Sequence, residues 1–255
     1  MRPILFSIGS INFYSYGFLL AVGFLLALGL AFWLAAKSGQ IKDAETRSQF
    51  LDLILYSVLA GLLGGRVGHI VLFPAQYRGV SFWEALLKGG FSFYPAVLAG
   101  IVVFVWLVYL YRRPLWNWLG LAILAILTGK VIGHIGGHLS LATPGKPAPK
   151  FLALGATTYP IHLYLAIWSL VGLLVLVGAI FRKGIKSLAS PAQARFIFLF
   201  GTFWIVLGNF LIDFLLAERK LYWILTLSQW VSLVIGLSIL VWFIWQRKKP
   251  LKSHP

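Results

Sequence analysis

Seven stretches of the chain, 11–36, 50–73, 91–111, 115–139, 161–181, 196–216 and 223–245, are almost wholly apolar, and the short segments between them hold nearly all the Lys and Arg. Each stretch has about the 20 residues that a helix needs to cross the hydrocarbon core of a bilayer. The fold class that follows is all-α: a polytopic membrane protein of seven transmembrane helices forming one integral domain over 1–255. Composition agrees, with 60% hydrophobic and 11% charged residues where a soluble domain has roughly 45–50% and about 25%. The first stretch is too long for a signal-peptide core and lacks a convincing cleavage site, so it is expected to stay as a span. With no cysteine, the chain has no disulfide, thiolate metal site or Cys nucleophile.

The formal charge of +16 would suggest a nucleic-acid partner in a soluble protein; here topology accounts for it, and no nucleic acid is expected. One set of alternate loops carries 13 Lys and Arg and the other seven. The positive-inside bias places the richer set in the cytoplasm, the N-terminus outside and the C-terminus inside. The longest connection, 140–160, rich in Pro, Gly and Thr, then reads as an outside loop or lid, and 74–90 as an outside segment with interfacial aromatics.

Charge inside a bilayer costs about 2.5–3.5 kcal/mol per residue on insertion scales, so each such residue needs a partner, a cavity or a task. Gly64-Gly65-Arg66-Val67-Gly68-His69 puts Arg66 and His69 on one helical face, with glycines that let a helix or a lipid headgroup approach. The guanidinium suits a phosphate, or alternatively snorkels to the interface. In Gly129-Lys130-Val131-Ile132-Gly133-His134-Ile135-Gly136-Gly137-His138, Lys130, His134 and His138 share a face if the helix continues, although four glycines argue for a break. A cavity joining ammonium to imidazole could hold a phosphate and move a proton. The same His spacing could ligate zinc, but no third ligand is near in sequence and no metal is expected. Asp213, the one acid within the later spans, is expected to pair with Arg66, Lys130 or a histidine. Tyr16 and Tyr94 could donate to a phosphate or ester oxygen, and His69, Tyr94, His138 and His162 converge on the outside half.

The order of these motifs carries a resemblance. Phe6-Ser7-Ile8-Gly9, Tyr16-Gly17, Gly64-Gly65-Arg66-Val67-Gly68 and Gly89-Gly90-Phe91-Ser92-Phe93 resemble the first half of the bacterial prolipoprotein diacylglyceryl transferases. Tyr159-Pro160 to Tyr164, Asp213-Phe214 and Ser228-Gln229 resemble elements of the second half. The resemblance implies seven spans with an outside N-terminus in the bacterial cytoplasmic (inner) membrane. It implies transfer of diacylglyceryl from phosphatidylglycerol to the lipobox cysteine in the signal peptide of a prolipoprotein, with release of glycerol phosphate, by a monomer without cofactor. Lys130, His134, His138 and Tyr94 are then the catalytic candidates. Tyr16, Gly65, Arg66, His69, Ser92, His162 and Asp213 are the substrate-binding ones, with Arg66 and Lys130 together on the lipid phosphate. Several family positions differ: Tyr94 stands where the family has a His, Lys130 aligns with its signature Arg, the signature Glu is absent, and Asn209 replaces an Arg before the acid. A lipid-headgroup transferase with another acceptor, a noncatalytic lipid- or lipoprotein-binding protein and a transporter are the alternative readings.

Overall fold

The computed structural model describes residues 4–9, 11–140, 142–154 and 157–248; Arg2, Lys249 and Lys252, which enter the charge count, lie outside the described residues. Among these residues seven helices are long and apolar enough to cross a membrane. They are α1 (Ser15–Ser38), α2 (Ala44–Leu72), α4 (Phe93–Leu110), α5 (Leu115–Leu139), α6 (Ile161–Lys183), α7 (Pro191–Ile212) and α8 (Leu227–Lys248). The short helix α3 (Phe82–Leu87) follows α2, and two hairpins complete the set: β1 (Ile4–Ile8) with β2 (Ile11–Tyr14), and β3 (Leu221–Tyr222) with β4 (Leu225–Thr226).

The boundaries move where local chemistry outweighs hydropathy. Residues 11–14, expected in the first span, form β2: Gly9 turns the chain at φ +60°, Ser7 donates to Asn12 at 2.7 Å, and Phe6 stacks on Phe13 at 4.6 Å. The second helix starts six residues early, because Asp43 caps it by accepting from the Thr46 amide at 2.8 Å. The Thr46 hydroxyl, which donates to the same carboxylate oxygen, and the Thr46 amide together hold the Asp43 carboxyl below the usual carboxylate range. The last span begins at Leu227 rather than 223, after the β3–β4 hairpin.

The break expected in α5 does not occur; the helix is continuous over Leu115–Leu139. Its glycines are contact surfaces instead. Gly136 lies against Leu19 and the Ser15–Tyr16 backbone of α1, and Gly137 lies under the His162 ring of α6. Small residues at such crossings let helix backbones approach closely where lipid supplies no hydrophobic drive between helices.

Helix α1 packs along α5, α2 along α4, and α5 along α6 and α7. The pairs α1/α5 and α2/α4 join mainly at the end of the bundle that carries the Lys- and Arg-rich loops, here called the basic end. There Leu34, Ala35, Phe50, Leu53, Leu107, Val108, Trp118 and Leu121 form one buried cluster. Away from it the pairs diverge. Between α6 and α7, Trp168 and Trp204 stack at 4.5 Å and each donates its indole N–H to the other's carbonyl at 2.8 Å. Gly208 and Gly172, four residues after each Trp, make room for the opposing ring.

Candidate functional site

The pitch of α5 sets Lys130 and His134 one turn apart, with Nζ 3.1 Å from Nε2. His134 Nδ1 lies 3.1 Å from Nδ1 of His162, near the start of α6, and His162 Nε2 lies 3.1 Å from Thr143 Oγ1 in the long loop. An ammonium only donates, which sets the direction of the whole chain when Lys130 is charged. His134 Nε2 accepts, so its proton is on Nδ1 and is donated to His162 Nδ1. His162 then carries its proton on Nε2 and donates to Thr143. His138, the third histidine of the α5 series, stays outside this chain but is near enough to His162 to act on it electrostatically. The long loop is strapped in place: Lys146 N–H donates to Leu215 O at 2.8 Å and Ala217 N–H to Pro144 O at 3.1 Å.

A second cluster faces the first. Among the described residues Asp213 takes no arginine hydrogen-bond partner; its Oδ2 accepts from Thr226 Oγ1 at 3.1 Å. Thr226 and Gln229 cap α8 reciprocally, Thr226 N–H donating to Gln229 Oε1 and Gln229 N–H to Thr226 Oγ1, both at 3.1 Å. The fully buried Gln229 also accepts from Arg219 Nη2 at 2.9 Å and donates to Phe210 O at 3.2 Å. The Tyr94 hydroxyl meets Ser228, and Asp213 is near enough to act on both Tyr94 and Lys130. Two distant parts of the chain thus bring a cation, an acid, a phenol and imidazoles together at one level of the bundle. Thr143, Arg219 and Thr226 carry no site signal in the sequence, and Ser228 and Gln229 enter it only through the resemblance. Only the polar start of the last span, Thr226 to Gln229, carried a usable signal, the capping-box spacing.

The outcome for Arg66 differs from the expected phosphate clamp. Its Nε donates to Leu86 O at 2.8 Å, and its terminal nitrogens donate to Ala85 O, Gly90 O and, at 3.5 Å, the Tyr77 hydroxyl. These carbonyls close the C-terminal end of α3 and the following turn, so the guanidinium is committed to protein oxygen. His69 bonds Ser92 Oγ at 3.1 Å and Gln76 Oε1 at 3.4 Å, and the Ser92 amide donates to Gly65 O. The glycines of this motif receive α4 and the turn before it: Ala99 lies on Gly64, Phe91 and Ala96 on Gly65, and Pro95 on Gly68. Arg66, His69, Ser92 and Gly65 therefore hold the 74–92 segment. Tyr16 lies at the start of α1 with an exposed side chain.

Beside Lys130, where α1/α5 and α2/α4 diverge, lies a half-open cleft of about 870 Å³. Gly17, Phe24, Ser57, Leu62 and Gly129 are among its lining residues, and Phe50 and Trp118 lie at its basic end. Nearly all of its surface is apolar.

Seven spans, a half-open apolar cleft and a half-buried cation next to it in the chain define a multi-pass membrane protein with a polar site among its helices. The chain matches the family model of prolipoprotein diacylglyceryl transferase over residues 3–245 and belongs to that family, so it is a transferase. Its relatives include the phosphatidylglycerol–prolipoprotein diacylglyceryl transferase of Lactobacillus acidophilus, 25% identical over 97% of this chain and 91% of that protein. The proteins of the same name from Streptococcus equi subsp. zooepidemicus (25% identical, 98% of this chain and 96% of that one) and Trichormus variabilis (26%, 98% and 92%) are similar to it over the same extent.

Proposed function

We propose that the chain transfers the diacylglyceryl group of phosphatidylglycerol to the lipobox cysteine thiol of a prolipoprotein. It does so as a monomer in the bacterial cytoplasmic membrane, with the basic end in the cytoplasm and the site opening toward the outside. The observation that carries this reading is the hydrogen-bonded series Lys130, His134, His162 and Thr143 beside a lateral apolar cleft. The lipid's tails enter the cleft from the bilayer, and its phosphate meets the Lys130 ammonium. Lys130 does this work without Arg66, four of whose five N–H donors are held by protein oxygen.

The thiol sulfur attacks the diacylglyceryl carbon. An S–C bond forms, the C–O bond to phosphate breaks, and its electron pair leaves with glycerol phosphate. The thiol proton passes to Lys130 as Lys130 passes one to His134. The excess proton moves through His162 toward Thr143 and the outside loop, so positive charge stays beside the leaving phosphate while the base function is met by imidazole. Tyr94 and Ser228 are hydroxyl donors on the far side of the phosphate, and Asp213 balances the charge of Lys130.

The test is reconstitution in phosphatidylglycerol liposomes with a lipobox peptide, reading the diacylglyceryl thioether by mass spectrometry. Lys130→Ala is expected to abolish product, and His134→Gln to lower the rate by a factor of about 10²–10⁴, the usual loss for a proton-transfer group. Product formed equally well by Lys130→Ala would overturn these roles. Bound phosphatidylglycerol without thioether from the parent protein would favour another acceptor.

A further inference from the structure

The apolar cleft has a closed end and one unexplained polar group. Ser57 is among its lining residues, and the Ser57 hydroxyl, buried in the wall one side-chain rotation from the cleft, has no hydrogen-bond partner, although a hydroxyl deprived of water costs free energy unless something accepts from it. Ser57 and Gly129 both lie about 20 Å along α2 and α5 from the basic end, at 1.5 Å per residue. Ser57 is thus level with Lys130, the residue after Gly129. At the other extreme Phe50 and Trp118 meet with ring centroids 5.8 Å apart, and Phe32 packs edge-on against Phe50 at 5.7 Å. They lie about 9 and 5 Å along the same two helices. The depth from Ser57 to this wall is therefore roughly 11–15 Å, close to the ~15 Å that one leaflet's acyl chains occupy.

Resting on the function proposed above, we propose that the cleft measures the acyl chains of its phospholipid: the Ser57 hydroxyl donates to an ester oxygen and the Phe50–Trp118 pair stops the chain end. A phospholipid whose phosphate sits at Lys130 presents its ester oxygens just below, where Ser57 is the donor without a partner. Its chains then run along Leu53, Ile54 and Phe24 until aromatic rings fill the way. Ala122 lies one helical turn above Trp118 on the cleft wall, so a large side chain there raises the floor by about 6 Å.

The experiment incubates the full-length protein with vesicles of equimolar dilauroyl-, dipalmitoyl- and diarachidoyl-phosphatidylglycerol. Retained lipid is read by native mass spectrometry, and the chains on the thioether are read in parallel. Ala122→Phe is expected to move the retained dilauroyl-to-dipalmitoyl ratio about tenfold or more toward the shorter lipid, the scale of discrimination an apolar pocket gives. Phe50→Leu, a smaller and still apolar wall, is expected to move it the other way, and Ser57→Ala to lower retention of all three lipids alike. Both wall variants must elute as the parent does on size exclusion, and the two opposite shifts keep a general packing defect from imitating the result. Unchanged chain distributions in Ala122→Phe and Phe50→Leu would overturn the proposal, as would failure of the parent to retain any of the lipids. A shifted retained ratio with no thioether supports the measuring cleft and refutes the transfer reading. Thioether with the same chain distribution in every variant does the reverse.

Discussion

Gly137→Ala isolates the His134–His162 contact without touching either histidine. A Cβ at Gly137 would stand 2.6 Å from His162 Nδ1 and 2.8 Å from the ring carbons Cγ and Cε1. Ordinary van der Waals contact begins near 3.4 Å, so the imidazole must retreat by about 0.8 Å. The His134–His162 distance of 3.1 Å then stretches to nearly 4 Å, beyond hydrogen-bond reach. Overpacking of this kind costs about 1–3 kcal/mol of stability. Loss of the proton path is expected to lower thioether formation by a factor of about 10² or more while phosphatidylglycerol remains bound at Lys130. Gly133→Ala is the control on the same helix: the nearest atom to its Cβ is Leu20 Cδ1 at 3.5 Å, and its rate should stay near the parent's. The assay is initial-rate thioether formation in liposomes, with protein normalised by size exclusion. A Gly137→Ala rate within about twofold of the parent would refute a role for the His162 contact.

Three further outcomes are expected. Trp168→Phe removes one of the paired indole hydrogen bonds while the Trp204 carbonyl keeps its helical amide partner, so it should lower stability in detergent by about 0.5–1.5 kcal/mol; thermal unfolding checks it, and an unchanged midpoint counts against the lock. Arg66→Lys cannot serve the Ala85, Leu86 and Gly90 carbonyls together, and it should expose residues 74–92 to limited proteolysis while lipid is still retained at Lys130. The Asp43 carboxyl is held below its ordinary value by Thr46, so its stabilising effect is complete above the unfolded value near 3.8 and is lost as pH falls through the lower folded value. Asp43→Ala should therefore flatten the acid limb of the unfolding profile, and an unaltered limb would contradict the cap.

The sequence by itself determined the seven spans, the all-α class and the family resemblance. Hydropathy is read along one dimension, and a run of about 20 apolar residues has one outcome in a bilayer; α5 lies where the run over 115–139 predicts. Spacing along a single helix was equally legible, as the Lys130–His134 contact shows. Tertiary structure alone decided what those residues meet, because a helix's rotation and crossing partners depend on packing against every neighbour. His162 reaches His134 across 28 positions and Thr143 reaches His162 across 19, and both contacts depend on Gly137 leaving room for a ring. Arg66 is the opposite case: its intramembrane position suggested an anion, yet the turn after α3 offers carbonyls that no local pattern ties to it. The cleft likewise has no signature in the chain, since its walls are the same apolar residues that elsewhere face lipid. It exists because α1/α5 and α2/α4 join at the basic end and diverge beyond it.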